Sequence, residues 1–304
     1  MNVLITGGCG FIGSHLAKHY LKHGHSVTCI DNYNTSKPNN NFTNLDLDLS
    51  VVSVDTIDRL KRLLANTDLV YHLASPVGVR YIDRDPASCI QDMHNINNLL
   101  FPLFKQYNNR VIFASTSEVY GNNTDARETD SLIIGPTDVL RWGYACGKLM
   151  SEFLIKSYGI QHTTVRFFNI VGPGQLAEHG MVLPTFINKA MTGTDLIIYG
   201  DGKQTRPFCD IRDAISMLEK ITGDEHIGET YNIGTDVEVT ICDLASKVIS
   251  LTNSISRIEY KQYEKCFTSQ SKDILNRRAN IDKIKKLYKP KYNLTDTIKS
   301  IINS

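Results

Sequence analysis

The sequence predicts an α/β fold in which a parallel sheet is covered by helices on both faces, and three observations carry that expectation. Short apolar runs alternate with helical stretches through residues 1–168. A glycine triplet, Gly7, Gly10 and Gly13, stands between the first run and the first helix. Asp31 closes the next run, about twenty residues further on. Together they make the βαβ unit of a Rossmann-like, doubly wound parallel sheet.

Asn2 to Thr6 reads as a short buried strand, and the helix after the glycine loop runs to about His23, burying Ile12, Leu16 and Tyr20. Ser26 to Ile30 is the second strand, and a third precedes Asp46. Strands at Leu69 to Leu73, Val111 to Ser115 and Thr163 to Phe168 then alternate with helices at Asp55 to Leu64, Pro86 to Tyr107 and Tyr144 to Tyr158. Beyond Asn169 the pattern loosens into elements at Met181 to Met191, Leu196 to Tyr199, Asp210 to Ile221, Thr230 to Ile233, Ile241 to Thr252 and Leu294 to Ile302. No Pro/Ser-rich linker separates the halves, so a smaller α/β lobe is expected to interleave with the sheet domain and form a cleft over the strand ends. The expected division is a dinucleotide-binding domain at 1–168, rejoined by segments near 207–228 and 268–285, and a second lobe made mostly of 169–304.

The 304 residues are 41% hydrophobic and 21% charged, which suits a globular enzyme with a large core. The balance of 33 basic against 32 acidic residues gives no electrostatic reason to expect nucleic acid or an anionic membrane as partner. No apolar run approaches the roughly 20 residues that cross a bilayer, and no signal-peptide pattern precedes the first strand, so a cytoplasmic protein is expected. Seven cysteines without a CxxC pair fit reduced thiols, with Cys9 and Cys146 read as small packing residues. His15, His19 and His23 recur at helical spacing but read as a polar helix face, and no metal site is expected. The three Asn-x-Thr triplets, at 41–43, 122–124 and 293–295, read as polar loops.

The glycines permit a tight turn and close approach to a pyrophosphate, while Phe11, Ile12 and Gly13 open a helix whose amides and dipole favour an anion. Asp31, with Asn32 beside it, is placed to accept from adenosine ribose hydroxyls. Its charge repels a 2′-phosphate and no Lys or Arg follows until Lys37, which favours NAD over NADP. Asp46 or Asp48 is a candidate adenine contact. Leu73, Ala74 and Ser75 end a strand at the cofactor edge. Tyr144 and Lys148 stand one helical turn apart, after a Thr116-Ser117-Glu118 triplet at another strand end. A free tyrosine, with a pKa of about 10, is a poor base at neutral pH, and a neighbouring ammonium favours its phenolate. Such a pair suits proton removal from a sugar hydroxyl as hydride leaves its carbon.

These motifs carry a resemblance: GGxGxxG at 7–13, the strand end His72-Leu73-Ala74-Ser75, STSEVYG at 115–121, YxxxK at 144–148, RxFNxxGP at 166–173 and YGDGxQTR at 199–206. The chain resembles the extended short-chain dehydrogenase/reductases of the nucleotide-sugar epimerase, dehydratase and decarboxylase group, over nearly its whole length. From Ser115 through Gly135-Pro136 and Arg141-Trp142 to Lys148 it is similar to UDP-glucuronate decarboxylases, including the bacterial lipid A modification enzyme. The resemblance implies an NAD that is reduced and reoxidised within one turnover. Tyr144 then removes the C4 hydroxyl proton, Lys148 holds the nicotinamide ribose, Thr116 bonds the C4 oxygen, and Glu118 acts as base or acid at C5. For a UDP-sugar it implies Asn169, the amides near Val182 and Arg206 at the diphosphate, Tyr199 near the base, and Arg277 or Arg278 at the diphosphate or active site. It also implies a homodimer through a four-helix bundle of 86–107 and 144–158.

The chain departs from these relatives at four places. Gly174 and Met181 stand where decarboxylases carry arginines, with Arg80 or Arg277 as possible replacements. Ser117 stands where 4,6-dehydratases have the Asp that protonates the leaving hydroxyl, leaving Ser117, water or Glu118 to serve. Met93 stands where many relatives place an asparagine. Because the carboxylate-binding arginines are absent and Glu118 is present, the sequence reading favours a UDP-hexose 4,6-dehydratase of UDP-GlcNAc type, with C5 epimerisation as a variant. UDP-glucuronate decarboxylase, UDP-sugar 4-epimerase and a non-catalytic NAD-binding module are the alternatives.

Overall fold

Hydrophobic periodicity is realised as a parallel sheet in a computed structural model that describes all residues except 35, 38–42, 51–53, 77, 79–81, 83, 178–179 and 263–277. The first half runs β1 (Asn2–Thr6), α1 (Phe11–Lys22), β2 (Ser26–Asp31), β3 (Thr43–Asp46), α2 (Val54–Leu64), β4 (Leu69–His72), α3 (Pro86–Gln106), β5 (Arg110–Thr116), α4 (Trp142–Ser157) and β6 (His162–Phe167). The second half contributes β7 (Ile170–Val171), α5 (Val182–Met191), β8 (Leu196–Tyr199), β9 (Thr205–Pro207), β10 (Cys209–Asp210), α6 (Ile211–Lys220) and β11 (Thr230–Ile233). It ends with β12 (Glu238–Thr240), α7 (Ile241–Thr252), β13 (Ile258–Lys261), α8 (Asp282–Lys285) and α9 (Leu294–Ile302).

Seven parallel strands form the main sheet in the order β11-β6-β5-β4-β1-β2-β3. The chain winds outward from β1 through β2 to β3, then crosses back to β4 and winds the other way. This reversal opens a crevice at the carboxyl ends of β1 and β4. Alternation within a strand feeds two cores. Val3 and Ile5 of β1 face a cluster with Leu16, Tyr20, Ile211 and Leu218, whereas Leu4 faces one with Leu60, Leu100, Phe104 and Ile155. The second half thus returns α6 to the α1 side of the sheet and β11 to its edge. A third core, with Leu183, Phe186, Leu196, Leu244, Val248 and Ile298, holds α5, α7 and α9 together.

Helix starts follow their capping residues. Asp85 accepts from the Ser88 amide with Pro86 in the first turn of α3, Thr240 accepts from Asp243 at α7, and Asn293 and Asp296 make a reciprocal capping box at α9. The helix expected from Tyr144 begins two residues earlier, at Trp142, because a turn in which the Trp142 amide donates to Val139 O at 3.0 Å winds directly into it. Cys146, expected to pack, is exposed on that helix instead.

A buried polar network fastens α4 to the sheet. Arg166 on β6 grips Glu152 with two bonds of 3.0 and 2.6 Å and donates to Tyr120 Oη at 2.7 Å. Tyr120 Oη donates on to Asn232 Oδ1 of β11 at 2.8 Å, and Ser115 donates to the same Glu152 carboxylate. The Arg166 and Glu152 side chains are only 6% and 11% exposed, so removing one partner leaves a buried charge uncompensated. Glu152→Ala is expected to cost about 3–5 kcal/mol in urea unfolding; a loss below about 1 kcal/mol would mean the pair contributes no more than a surface bridge.

Candidate active site

The crevice at the switch point begins with the glycine loop. Gly7 ends β1 at φ +70°, in the left-handed region that favours glycine, and its amide donates to Ile30 O at 2.8 Å. A Cβ on Gly13 would lie 2.3 Å from Gly7 O, and one on Gly7 would meet the Ala74 amide nitrogen at 3.0 Å. The loop and strand end therefore touch only because both glycines lack side chains. Gly10 precedes α1 without a side-chain cap, so the first-turn amides around Phe11 and Ile12 are available to an anion. At the end of β2, Asp31 accepts from the Cys9 amide (2.9 Å), the Tyr33 amide (2.9 Å) and Ser36 Oγ (3.0 Å). These bonds fix the carboxylate beside the loop. Asn32 is exposed and caps the following turn by accepting from the Asn34 amide, and Asp46 lies level with Asp31 on β3, also exposed. Leu73 and Ala74 donate to Thr6 O and Oγ1 at 3.1 and 3.2 Å, which pins the β4 end, with half-buried Ser75, against β1. This donor set, with its uncapped helix and glycine cradle, fits a dinucleotide.

Thr116 ends β5, and its Oγ1 accepts from the Glu118 amide at 3.3 Å, starting a single tight turn over Ser117–Tyr120. Ser117 is 2% exposed. Glu118 Oε1 accepts from Arg141 Nη2 at 3.0 Å, with the two side chains 13% and 14% exposed. Tyr144 is half-buried in the first turn of α4, its amide donating to Arg141 O at 3.3 Å. Lys148, one turn along and 3% exposed, donates from Nζ to Ala114 O of β5 at 2.8 Å, with Nζ 5.4 Å from the Phe113 ring centroid. Burial pushes its pKa down to about 8, opposed by the neighbouring Cys89 and Glu152. Tyr144, Lys148 and Glu152 recur every four residues and share one face of α4. The lysine that the spacing suggested as an ordinary ammonium is thus a desolvated one locked to the sheet.

On the other side of the crevice, Asn169 sits at φ +41°, and its buried Nδ2 has no hydrogen-bond partner among the described residues. The segment it begins lies over the glycine loop: His15 Nε2 donates to Pro173 O at 2.9 Å, and a Cβ on Gly172 would come within 3.6 Å of the Phe11 ring. Val182 opens α5 after an extended Met181 with no side-chain cap, leaving its amide exposed to an acceptor. Tyr199 ends β8, and Arg206, 9% exposed on β9, donates to Thr205 O at 2.7 Å. Gln204 Nε2 donates to Tyr199 O at 3.1 Å and ties these two strands together. Arg80 and Arg277, and part of the 268–285 segment, lie outside the described residues; Arg278 is exposed. Among the described residues no group of His, Cys, Asp and Glu is arranged to hold a metal. His15 is used on Pro173, His19 faces Glu219 at 3.5 Å, and His23 bonds His19 O. No helix among them is long and apolar enough to cross a membrane.

Sequence reasoning passed over Arg141 as a site residue. Its signal was present: it stands three residues before Tyr144, the spacing that shares a helix side. It also passed over His72 and Asn97, whose importance depends on contacts between distant segments. A cationic role for Lys148 predicts that the alkaline limb of kcat/KM falls with an apparent pKa near 8, as deprotonation above that pH removes its charge. A profile flat from neutral to strongly alkaline pH would contradict that role.

Residues 3–234 match the family described as the NAD dependent epimerase/dehydratase family. The chain is 37% identical over 292 residues to a UDP-N-acetyl-alpha-D-glucosaminuronate decarboxylase of Bacillus cytotoxicus, covering 93% of this chain and 90% of that protein. It is 30% identical over 306 residues to UDP-glucuronic acid decarboxylase 2 of Arabidopsis thaliana, covering 97% of this chain and 66% of that longer protein. Among solved structures, a UDP-glucuronic acid 4-epimerase from Bacillus cereus, in complex with UDP-glucuronic acid and NAD, superposes with a TM-score of 0.86 at 28% identity, covering 100% of this chain and 98% of that one.

Proposed function

This chain belongs to the NAD dependent epimerase/dehydratase family, and from that premise we propose that it is a UDP-hexuronate decarboxylase, with UDP-N-acetylglucosaminuronate as its first candidate substrate. Its cofactor is NAD and it processes nucleotide sugars. Support for the finer reading comes from the Arg141–Glu118 pair at 3.0 Å, next to Thr116 and Tyr144, and from the decarboxylase similarity at 37% identity.

The leaving group separates the two leading reactions. A ketone at C4 permits loss either of water across C5 and C6 or of CO₂ from C5. Water departs only with a proton on the C6 hydroxyl, and Ser117, one of the three donors expected alongside water and Glu118, is 2% exposed. CO₂ departs neutral without added protons, leaving the C5–C6 electron pair as an enolate on the C4 oxygen, which takes one proton from solvent at C5 to restore the ketone before its reduction. Glu118 is held in an ion pair by Arg141 Nη2 at 3.0 Å, which engages the other side chain that could relay a proton to the C6 hydroxyl. Arg141, on the turn side of this pair, is our candidate for the charge toward a C6 carboxylate that Gly174 and Met181 do not provide.

Bound NAD supplies the two-electron acceptor for C4 and returns the pair at the end of the turnover. Tyr144 takes the C4 hydroxyl proton and gives it back, Lys148 holds the nicotinamide ribose, and the Thr116 hydroxyl donates to the C4 oxygen. Asn169 Nδ2, the Val182 amide and Arg206 take the diphosphate, Tyr199 the base, with Arg80 and Arg277 as further candidates for the anionic groups. NAD is assigned to 1–168 with the segments that return to it, and the sugar nucleotide mostly to 169–304. The six described cysteines are free thiols, which supports a cytoplasmic protein.

Purified protein is expected to release CO₂ and form a UDP-pentose from UDP-N-acetylglucosaminuronate or UDP-glucuronate. Loss of water from UDP-GlcNAc, or an unchanged mass with a new NMR pattern, would replace this reading with dehydration or epimerisation.

A homodimer through α3 and α4 is part of the proposal. Ile90, Met150 and Phe153 are exposed at 37%, 38% and 66%, and Cys146 lies one turn before Met150. Light scattering is expected to give a dimer for the unaltered chain and a monomer for Phe153→Asp; a variant that stays dimeric would put the interface elsewhere.

A further inference from the structure

A continuous chain of buried hydrogen bonds joins the cofactor edge of the sheet to the helix that carries Tyr144 and Lys148. The Ala74 amide donates to Thr6 Oγ1 at 3.2 Å, and Thr6 Oγ1 and His72 Nδ1 are 2.7 Å apart. His72 Nε2 and Asn97 Oδ1 are 3.0 Å apart, Asn97 Nδ2 donates to Ser151 Oγ at 2.6 Å, and Ser151 Oγ donates to Gly147 O at 2.7 Å. Thr6, His72, Asn97 and Ser151 are 0%, 1%, 3% and 0% exposed. They come from β1, β4, α3 and α4.

The direction of every bond is fixed by its neighbours. The single hydrogen of Ser151 goes to a carbonyl, so Ser151 accepts from Asn97, and Asn97 turns its oxygen to His72. An amide oxygen only accepts, so the His72 proton is on Nε2 and Nδ1 accepts from Thr6. Thr6 Oγ1 is then free to accept from Ala74. Burial, against the Asn97 bond that raises it and with a smaller push from Lys148, holds the His72 pKa down at about 4, so the imidazole stays neutral and adds no second charge beside that lysine. Ser151 bonding back to Gly147 is ordinary in a helix; Asn97 donating to it from another helix is not. Gly147 immediately precedes Lys148, and α3 and α4 are in close contact there, a Cβ on Gly147 coming 3.0 Å from Met93 Sδ.

We propose that Thr6, His72, Asn97 and Ser151 are positioning residues, a rigid relay that sets Lys148 and Tyr144 at a fixed height over the cofactor-facing end of β4. None of them touches the reacting atoms. The Leu73–Ser75 backbone meets the dinucleotide at one end and the Gly147 carbonyl carries the helix at the other, so the relay keeps cofactor and base in register. The asparagine absent at Met93 is not replaced in kind: Asn97, one turn on, reaches the helix directly through a side chain.

The inference rests on the reading that this site turns over a sugar nucleotide. If the unaltered enzyme acts on none of the substrates above, that reading fails by itself. The test of the relay is a double-mutant cycle on kcat with Thr6→Val and Ser151→Ala, which break opposite ends while nearly conserving volume. A break at either end is expected to lower kcat by roughly tenfold with KM and NAD affinity little changed, and the double variant to be no worse than either single one. Thr6→Ser is expected to restore kcat. Independent structural roles would instead give additive losses, or losses of stability with kcat intact, and would overturn the proposal. Nitrogen-15 NMR of the histidines in the unaltered protein needs no variant to fold: His72 is expected as the neutral Nε2-protonated tautomer, and an Nδ1-protonated or charged ring at neutral pH would break the relay as drawn.

Discussion

The site depends on a desolvated ammonium held against a strand. Lys148 donates to Ala114 O at 2.8 Å with 3% of its surface exposed, and burial alone destabilises its charge. The fold compensates from below, where Glu152, one turn further along the helix, lies close enough to raise the lysine pKa. Glu152 is itself neutralised by Arg166 and bonded by Ser115, the residue before Thr116. One carboxylate therefore joins the helix carrying Tyr144 to the strand ending in Thr116 and to β6 beyond it. In the proposed reaction proton and hydride leave the same C–O–H unit, and this rigidity would keep their acceptors in register.

Much of this was legible in the sequence because it is local or periodic. The strand and helix bounds follow from apolar spacing, and the loop of Gly7, Gly10 and Gly13 with Asp31 beyond it follows from steric demands that few other residues meet. The four-residue step from Tyr144 to Lys148 needs only helix geometry. What escaped was long-range and polar. Arg141 reads as one surface arginine until the chain from Gly121 to Leu140 folds back and puts it 3.0 Å from Glu118. His72 reads as part of a strand end until Asn97 and Ser151, from two helices, close round it. Cys146 looked like packing because nothing in the sequence says which side of α4 is covered.

The same polar contacts change the weight of the chemical argument. Missing arginines at Gly174 and Met181 made a carboxylate substrate look poorly served, and Ser117-Glu118 suggested a dehydration with a displaced proton donor. Ser117 is buried and Glu118 is paired to a guanidinium, and these two contacts are what the proposed decarboxylation rests on against a dehydration whose leaving hydroxyl must be protonated. Asn169, with a buried donor that none of the described residues satisfies, is a second candidate contact for the anionic ligand proposed above.

In the proposed reaction Tyr144 starts and ends a redox cycle at a single sugar carbon. The most direct test follows deuterium at C4 of a UDP-hexuronate through one round of turnover. The label is expected to return to C4 of the UDP-pentose without loss to solvent, and Tyr144→Phe to form no product while still binding NAD. Label lost to water, or product formed by the phenylalanine variant, would contradict it.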